Sequence, residues 1–224
     1  MKSQLYFWIS LLAVVAYLVP MTILLLRKLW KAVPLTLFAA YFLVSGLINL
    51  LDLLPGVSHS VIETISVFYN LLDMPLVLAI LSLSTGVPGI RKATRVALVI
   101  YMVAAIIICA VQGLNYDALK YSLLLGLVLV LTMLVWEVIM HLQQVRHTPM
   151  QKGLVLVHAA LLFQYGTYVI IYIFDYFLIA VSNTTDNFII YYISSIISLI
   201  VASLGYLNLP GALHPSPVLS DRSE

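Results

Sequence analysis

The chain has 224 residues, of which 63% are hydrophobic and 9% charged, and its net charge at pH 7 is +2. Its mean hydropathy of +1.09 excludes a soluble globular domain and predicts a polytopic membrane protein. The single cysteine, Cys109, cannot form an internal disulfide and provides no zinc-ligand spacing.

Seven apolar segments follow one another, each near or above the roughly 20 residues that a helix needs to cross a bilayer. They cover residues 5–26, 35–54, 63–83, 96–114, 118–140, 153–181 and 188–209. The links between them are short and contain helix breakers such as Pro34, Pro55 and Asn115. The sequence therefore predicts an all-α fold, a single seven-transmembrane-helix bundle over residues 1–209. Residues 210–224 form a polar, Pro- and Ser-rich tail that we expect to be disordered.

Basic residues are distributed unevenly between the two sides of the predicted bundle. One side contains only Lys2 and Lys120, whereas the links after segments one, three and five and the tail carry the rest. By the positive-inside rule, this bias places the N-terminus outside and the C-terminus in the cytoplasm. We expect the protein to lie in the plasma membrane or an inner membrane.

The third segment carries a polar stripe across an otherwise apolar helix. Glu63, Ser66, Asn70 and Asp73 lie three, four and three residues apart, so they share one face at helical pitch. Ionisable groups within a membrane span are costly and usually face the bundle interior or a wet cavity. The stripe therefore predicts that this face of helix three lines a polar site.

Three further helices present polar faces of the same kind. Helix two contributes Tyr41, Ser45, Asn49 and Asp52; helix six contributes His158, Tyr165, Tyr168, Tyr172, Asp175 and Tyr176; helix seven contributes Tyr191, Ser194, Ser195 and Ser198. Helix direction places most of these residues in the outer half of the membrane. Because polar groups have no partners in hydrocarbon, we expect them to surround an outward-opening cavity.

The same residues have a second interpretation, in which they form hydrogen bonds between helices and only hold the bundle together. We favour that interpretation for the serine hydroxyls. For Asp73, Asp175 and Asn70 we favour a ligand pocket, because a deep carboxylate is poorly suited to packing alone. The predicted ligand-binding residues are Asn49, Asp52, Glu63, Ser66, Asn70, Asp73, Tyr165, Tyr168, Tyr172, Asp175, Tyr176, Tyr191, Ser195 and Ser198.

The cytoplasmic half of the predicted bundle contains fewer polar residues. Glu137 and His141 lie one turn apart near the inner boundary, where an ion pair at the interface is the simplest interpretation. We therefore expect no inner vestibule.

Seven helices and a carboxylate within helix three resemble the microbial rhodopsins in outline. That resemblance implies retinal, but a retinal Schiff base requires a lysine in helix seven, and residues 188–209 contain none. The size and topology also resemble the small sugar-transporting seven-helix families, whose paired Pro-Gln signature is absent here. A cofactor is therefore not identified by either resemblance.

Enzyme activity is the least favoured function class. The histidines are scattered and form no HExxH pair, and no G-x-S-x-G elbow is present. Acid–base chemistry by Asp73 with Asp175 is the remaining enzymatic alternative. A receptor- or sensor-like protein that binds a small ligand in the outer cavity is favoured first, and a small-solute, cation or proton transporter second. Pro75, just after Asp73, supports transport, because it would kink helix three.

Acidic groups outnumber basic ones within the spans, so the cavity would repel an anion. We expect an amine, a metal ion or a neutral polar molecule as ligand, with tyrosine faces able to contact a cation. The lipid bilayer is a certain partner, a cytoplasmic protein partner is compatible with the sequence, and nucleic acid is not expected.

Overall fold

The computed structural model describes residues 2–51, 53–54, 56–113, 116–144, 146–177 and 184–209. Within those ranges, only the backbone is described for residues 2, 3, 59, 63, 116–118, 175 and 184–187. Asp52, the side chains of Glu63 and Asp175, and the tail over residues 210–224 therefore lie outside the description. The described residues form seven long helices joined by short connections, with no strand among them.

The helices alternate in direction along the chain. They are α1 (Lys2–Leu26), α2 (Val33–Leu51), α3 (His59–Ser84), α4 (Pro88–Gln112), α5 (Tyr116–Leu142), α6 (Pro149–Phe177) and α7 (Thr184–Leu207), with a short 3₁₀ turn at Leu29–Lys31. Each contains a stretch that is long and apolar enough to cross a membrane. The prediction of an all-helical chain with seven long apolar helices is confirmed.

Several helix limits differ from those predicted. α4 begins at Pro88 rather than at residue 96, so Arg91, Lys92 and Arg95 lie in its first two turns and not in a link. Proline suits the start of a helix because its missing N–H has no helical acceptor there. α2 ends at Leu51 rather than at residue 54.

Neighbouring helices in the chain pack side by side, and α1 packs against α7 to close a ring. α3 also contacts α5 directly, so α4 lies outside the ring, where it packs chiefly on those two helices. α1 and α7 end together, as the Arg27 guanidinium donates to the backbone carbonyl oxygen of Leu207. We call this the basic end of the bundle, and the opposite end, where α1, α3, α5 and α7 begin, the cavity end.

Glycines allow the helices to approach closely where α6 meets α7. A Cβ on Gly205 would lie 2.7 Å from the carbonyl oxygen of Gly153, a distance that real Cβ atoms do not adopt. A Cβ on Gly126 of α5 would likewise lie too close to the side chains of Met74 and Tyr101. Small residues at helix contacts are typical of membrane bundles, in which association depends on close packing.

Candidate functional site

A cavity of about 400 Å³ lies between α2, α3, α5, α6 and α7 at the cavity end of the bundle. It extends from Ile62 and Phe188, near the beginnings of α3 and α7, to Asp73 and Leu127. The side toward α5 is apolar, and the other sides carry hydroxyl, amide and carboxyl groups. No lysine or arginine is among the described residues that line it.

The side chain of Asp73 forms the polar floor of this cavity and is only 5% exposed. The Tyr41 hydroxyl lies 2.9 Å from Asp73 Oδ1, and the Tyr165 hydroxyl lies 2.7 Å from Oδ2. The two tyrosine hydroxyls lie 2.9 Å from each other. Asp73 therefore joins α2, α3 and α6 through one compact group of three side chains, which we call the Asp73 triad.

Two polar contacts on the cavity wall lie one and two turns from the triad. Tyr69, one turn before Asp73 on α3, has its hydroxyl 2.5 Å from Ser45 Oγ. The Asn49 amide donates to the Tyr191 hydroxyl at 3.2 Å and thereby joins α2 to α7. Despite these contacts, the side chains of Tyr69, Asn49 and Tyr191 still line the cavity.

Behind the cavity wall, a second hydrogen-bond network joins α1, α6 and α7. The Tyr17 hydroxyl donates to Ser195 at 3.2 Å and accepts from the Gln164 amide at 3.3 Å. The same amide donates to the Tyr168 hydroxyl at 2.7 Å, whereas Gln164 Oε1 is buried without a partner among the described residues. This network fixes Tyr168, whose ring lines the cavity.

Aromatic rings form one side of the cavity. Tyr168 and Tyr191 stack with ring centroids 5.3 Å apart and planes inclined by 20°, and Tyr165 meets Tyr168 edge to face at 5.4 Å. Aromatic faces carry negative electrostatic potential and attract cations. Together with the carboxyl group of Asp73, they suit a small positively charged or polar ligand.

An apolar layer separates the Asp73 triad from the basic end. It consists of four fully buried side chains of α2, α3 and α6 that lie about one turn from the triad, toward the basic end: Phe38, Val77, Leu78 and Leu161. These four side chains form no hydrogen bonds, so they offer no partner to water or to an ion.

A second cavity, of about 340 Å³, lies at the basic end. There Glu137 accepts a 2.6 Å hydrogen bond from the Thr85 hydroxyl, and His158 lies 3.2 Å from Ser84 Oγ. The predicted pairing of Glu137 with His141 is replaced by these contacts, since His141 stacks on His147 with ring centroids 4.0 Å apart. The α3–α4 turn explains the difference, because it brings the Thr85 hydroxyl to the carboxylate.

The structure brings most of the predicted ligand-binding residues together. Those that line the 400 Å³ cavity are Asn49, Ser66, Asn70, Asp73, Tyr168, Tyr172, Tyr176 and Tyr191. Tyr165 and Ser195 are fully buried behind the wall. Ser198 lies away from the cavity, because its hydroxyl donates to the Ala160 carbonyl at 2.9 Å. Asp52 and the side chains of Glu63 and Asp175 lie outside the described residues.

Residues absent from the predicted set complete the site. Tyr41 shares the polar face of α2 with Asn49, and Tyr69 lies one turn from Asp73, so helical spacing was a usable signal for both. Gln164 lies one turn before Tyr168 on α6, so the same spacing was a usable signal for it, whereas Tyr17 lies on α1, to which no polar face was assigned.

The described residues contain no group of three His, Cys, Asp or Glu side chains arranged as metal ligands. Among the described residues, a cation at this site would contact one carboxyl group, that of Asp73, together with hydroxyl oxygens and aromatic faces. No protein family, curated protein or solved structure matches the chain.

Proposed function

We propose that the chain is an integral membrane protein of the receptor or sensor type, which binds a small cationic or neutral polar ligand in the 400 Å³ cavity. The observation that supports this most directly is Asp73, a buried carboxyl group at the cavity floor with no basic side chain among the described lining residues. A buried carboxylate without a counter-ion is strongly disfavoured. A bound cation would supply the missing charge.

The proposed orientation has the cavity end outside and the basic end in the cytoplasm. Arg27, Lys28 and Lys31 follow α1 at the basic end, and Arg91, Lys92 and Arg95 occupy the first turns of α4 there. Short loops rich in Lys and Arg remain on the cytoplasmic side. The ligand would then enter from outside, and a cytoplasmic protein partner would meet the basic end.

The Asp73 triad also offers a way to transmit binding. Asp73 is held by hydroxyls from α2 and α6, and Pro75 follows it on α3, where the backbone lacks one helical hydrogen bond. A ligand that draws Asp73 away from Tyr41 or Tyr165 would alter the positions of three helices together. The apolar layer would keep the solute itself from crossing.

Transport is the second candidate function, and the cavity at the basic end favours it. Two polar cavities at opposite ends, separated by one apolar layer, correspond to the closed-barrier state that alternating access requires. A transporter would have to open the layer formed by Phe38, Val77, Leu78 and Leu161, whereas a receptor would not.

Thermal stabilisation of purified protein and flux into proteoliposomes distinguish these functions. The panel contains sodium, potassium, tetramethylammonium, primary amines and neutral sugars, and the variants are wild type, Asp73→Asn and Glu137→Gln. Glu137→Gln is the matched control, since it removes a carboxylate from the other cavity. Stabilisation of wild type and Glu137→Gln but not Asp73→Asn, without flux, supports a receptor.

Flux that is lost in Asp73→Asn supports the transporter instead. Neither stabilisation nor flux with any compound, from protein that is folded and monodisperse, would overturn both functions. Tight binding of an anion, unchanged in Asp73→Asn, would contradict the proposed ligand class.

A further inference from the structure

The three side chains of the Asp73 triad form a closed ring of oxygen atoms. Asp73 Oδ1 lies 2.9 Å from the Tyr41 hydroxyl, that hydroxyl lies 2.9 Å from the Tyr165 hydroxyl, and Tyr165 lies 2.7 Å from Asp73 Oδ2. All three separations are hydrogen-bond distances for O–H···O pairs. Each contact therefore needs one proton between its two oxygens.

The number of protons in the ring depends on the state of Asp73. A tyrosine hydroxyl supplies one proton, and an ionised carboxylate supplies none. If Asp73 is ionised, the two tyrosine protons are shared among three O···O contacts. One of the three contacts then has no proton between its two oxygens. With a carboxylic acid, each of the three groups donates once and accepts once, and every contact is a hydrogen bond. Only the protonated ring satisfies the geometry completely.

The Tyr69 hydroxyl also lies near the Asp73 carboxyl group, but a donor outside the ring does not place a proton between the hydroxyl oxygens of Tyr41 and Tyr165. On α3, Tyr69 donates to Ser45 Oγ, because the Ser45 hydroxyl itself donates to the Tyr41 carbonyl at 2.9 Å. On α4, the Tyr101 hydroxyl donates to the Leu71 carbonyl. The cavity faces of α5 are leucines, and the remaining titratable groups among the described lining residues are four tyrosines of α6 and α7: Tyr168, Tyr172, Tyr176 and Tyr191.

The Tyr168 hydroxyl is 2.7 Å from the Gln164 amide, and Tyr191 is 3.2 Å from Asn49 Nδ2. Charged groups outside the lining set include Lys120, whose Nζ lies over the rings of Tyr176 and Phe177, away from the ring of oxygens. No cation among the described residues therefore compensates a negative Asp73.

We propose that the Asp73 triad is a proton-binding site, in which Asp73 is a neutral carboxylic acid, and that a cation entering the cavity displaces this proton. In the exchange, the O–H bond of the carboxyl group breaks, the proton leaves through the cavity to water, and the cation pairs with the carboxylate that remains. The net charge of the site is unchanged. The exchange step rests on the proposed function, but the proton count does not.

Infrared difference spectroscopy tests the proton-binding site without any ligand. Wild type and Asp73→Asn are compared in water and in heavy water, and wild type is also prepared with ¹³C-labelled aspartate. We expect a carboxylic-acid C=O band that shifts in heavy water, shifts on labelling and disappears in Asp73→Asn. Loss of a carboxylate band instead would show an ionised Asp73 and overturn the proposal.

Two further variants keep this test valid if Asp73→Asn fails to fold. Tyr41→Phe and Tyr165→Phe each open the ring, so each should shift the labelled C=O band. The matched control is Tyr206→Phe, because the Tyr206 hydroxyl donates to the Leu35 carbonyl at the basic end. An unmoved band in both ring variants would place the acid elsewhere and overturn the assignment.

Proton release on binding tests the exchange step. Sodium, potassium and tetramethylammonium, none of which carries a titratable proton, are added to wild type in weak buffer with a pH indicator. We expect one proton released per cation bound and no release from Asp73→Asn. Binding without release would overturn the exchange. Absence of binding by all three cations, with the C=O band present, would overturn the exchange step and leave the proton-binding site established.

Discussion

The Tyr101 hydroxyl donates a 3.2 Å hydrogen bond to the backbone carbonyl of Leu71, the carbonyl that Pro75 leaves without its helical donor. α4, which lies outside the ring of helices, thus completes the hydrogen bonding of α3 beside the Asp73 triad. Because the donor is a fully buried side chain, this contact also fixes how α4 packs on α3.

Replacement of Tyr101 by phenylalanine removes the donor and leaves the Leu71 carbonyl unpaired. A buried polar group without its partner costs about 1–3 kcal/mol in soluble proteins, and contacts in membrane bundles average nearer 0.6 kcal/mol. We therefore expect Tyr101→Phe to lower thermal stability by about 1 kcal/mol. Equilibrium unfolding in mixed micelles would measure the change.

The control for Tyr101→Phe is Tyr121→Phe, on the exposed side of α5. It makes the same chemical change without leaving a buried carbonyl, so its stability should match wild type. Equal stability of both variants would mean that the Leu71 carbonyl finds another donor, and that α4 does not support α3 at Pro75.

In the proposed exchange, Tyr41 and Tyr165 would stabilise the negative charge on Asp73 after a cation has replaced the proton. Hydrogen bonds to charged groups contribute about 1.5–3 kcal/mol, so Tyr41→Phe and Tyr165→Phe should each weaken cation binding on the order of tenfold or more. Isothermal titration with tetramethylammonium measures the affinity. Tyr206→Phe should lower stability but leave the affinity unchanged, and an equal affinity loss in all three would indicate a general packing effect.

The helices and part of the site could be predicted from the sequence because both follow from spacing along a single helix. Hydropathy located all seven helices, and the three- and four-residue spacing on α3 placed Ser66, Asn70 and Asp73 on the cavity. Hydropathy gave the wrong start for α4, because a charged residue such as Arg91 lowers the mean hydropathy and was therefore assigned to the link before the helix. Long basic side chains at a helix end can extend out of the hydrocarbon region of a membrane to its polar surface, while their backbone remains helical.

Contacts between helices could not be predicted in this way. Tyr41 and Tyr165 are 124 residues apart, and their contact depends on how α2 and α6 rotate against each other. Ser198 shares a polar face with Tyr191, yet it donates to a backbone carbonyl, an alternative that is always open to serine. The contact of Glu137 with Thr85 could not be predicted either, because the two residues are 52 positions apart and meet only when the α3–α4 turn packs against α5.

The close contact of α6 with α7 predicts opposite effects for two glycine substitutions. A Cβ on Gly205 would lie 2.7 Å from the Gly153 carbonyl oxygen, so Gly205→Ala should force the helices apart and cost about 1–3 kcal/mol. Gly166→Ala places its methyl in open space within α6 and should stabilise by about 0.5–1 kcal/mol. Thermal unfolding of both variants measures these changes, and unchanged stability of Gly205→Ala would contradict the contact.

Lys120 places a positive charge beside the cavity, with its Nζ 5.7 Å from the ring of Tyr176, which lines it. A cation approaching Asp73 passes this charge. At about 10 Å in water the repulsion is roughly 0.4 kcal/mol, so Lys120→Gln should increase the association rate of tetramethylammonium about twofold at low salt. Stopped-flow binding at several ionic strengths measures the rate.

Screening separates this charge effect from a change of shape. At 1 M salt the Debye length is about 3 Å, so Lys120→Gln and wild type should associate at the same rate. Lys120→Arg, which keeps the charge, should match wild type at every ionic strength. An increase that persists at high salt, or that also occurs with arginine, would mean that the lysine obstructs the entrance. A neutral sugar that bound the cavity should enter at a rate independent of residue 120, because only a charged ligand experiences the field.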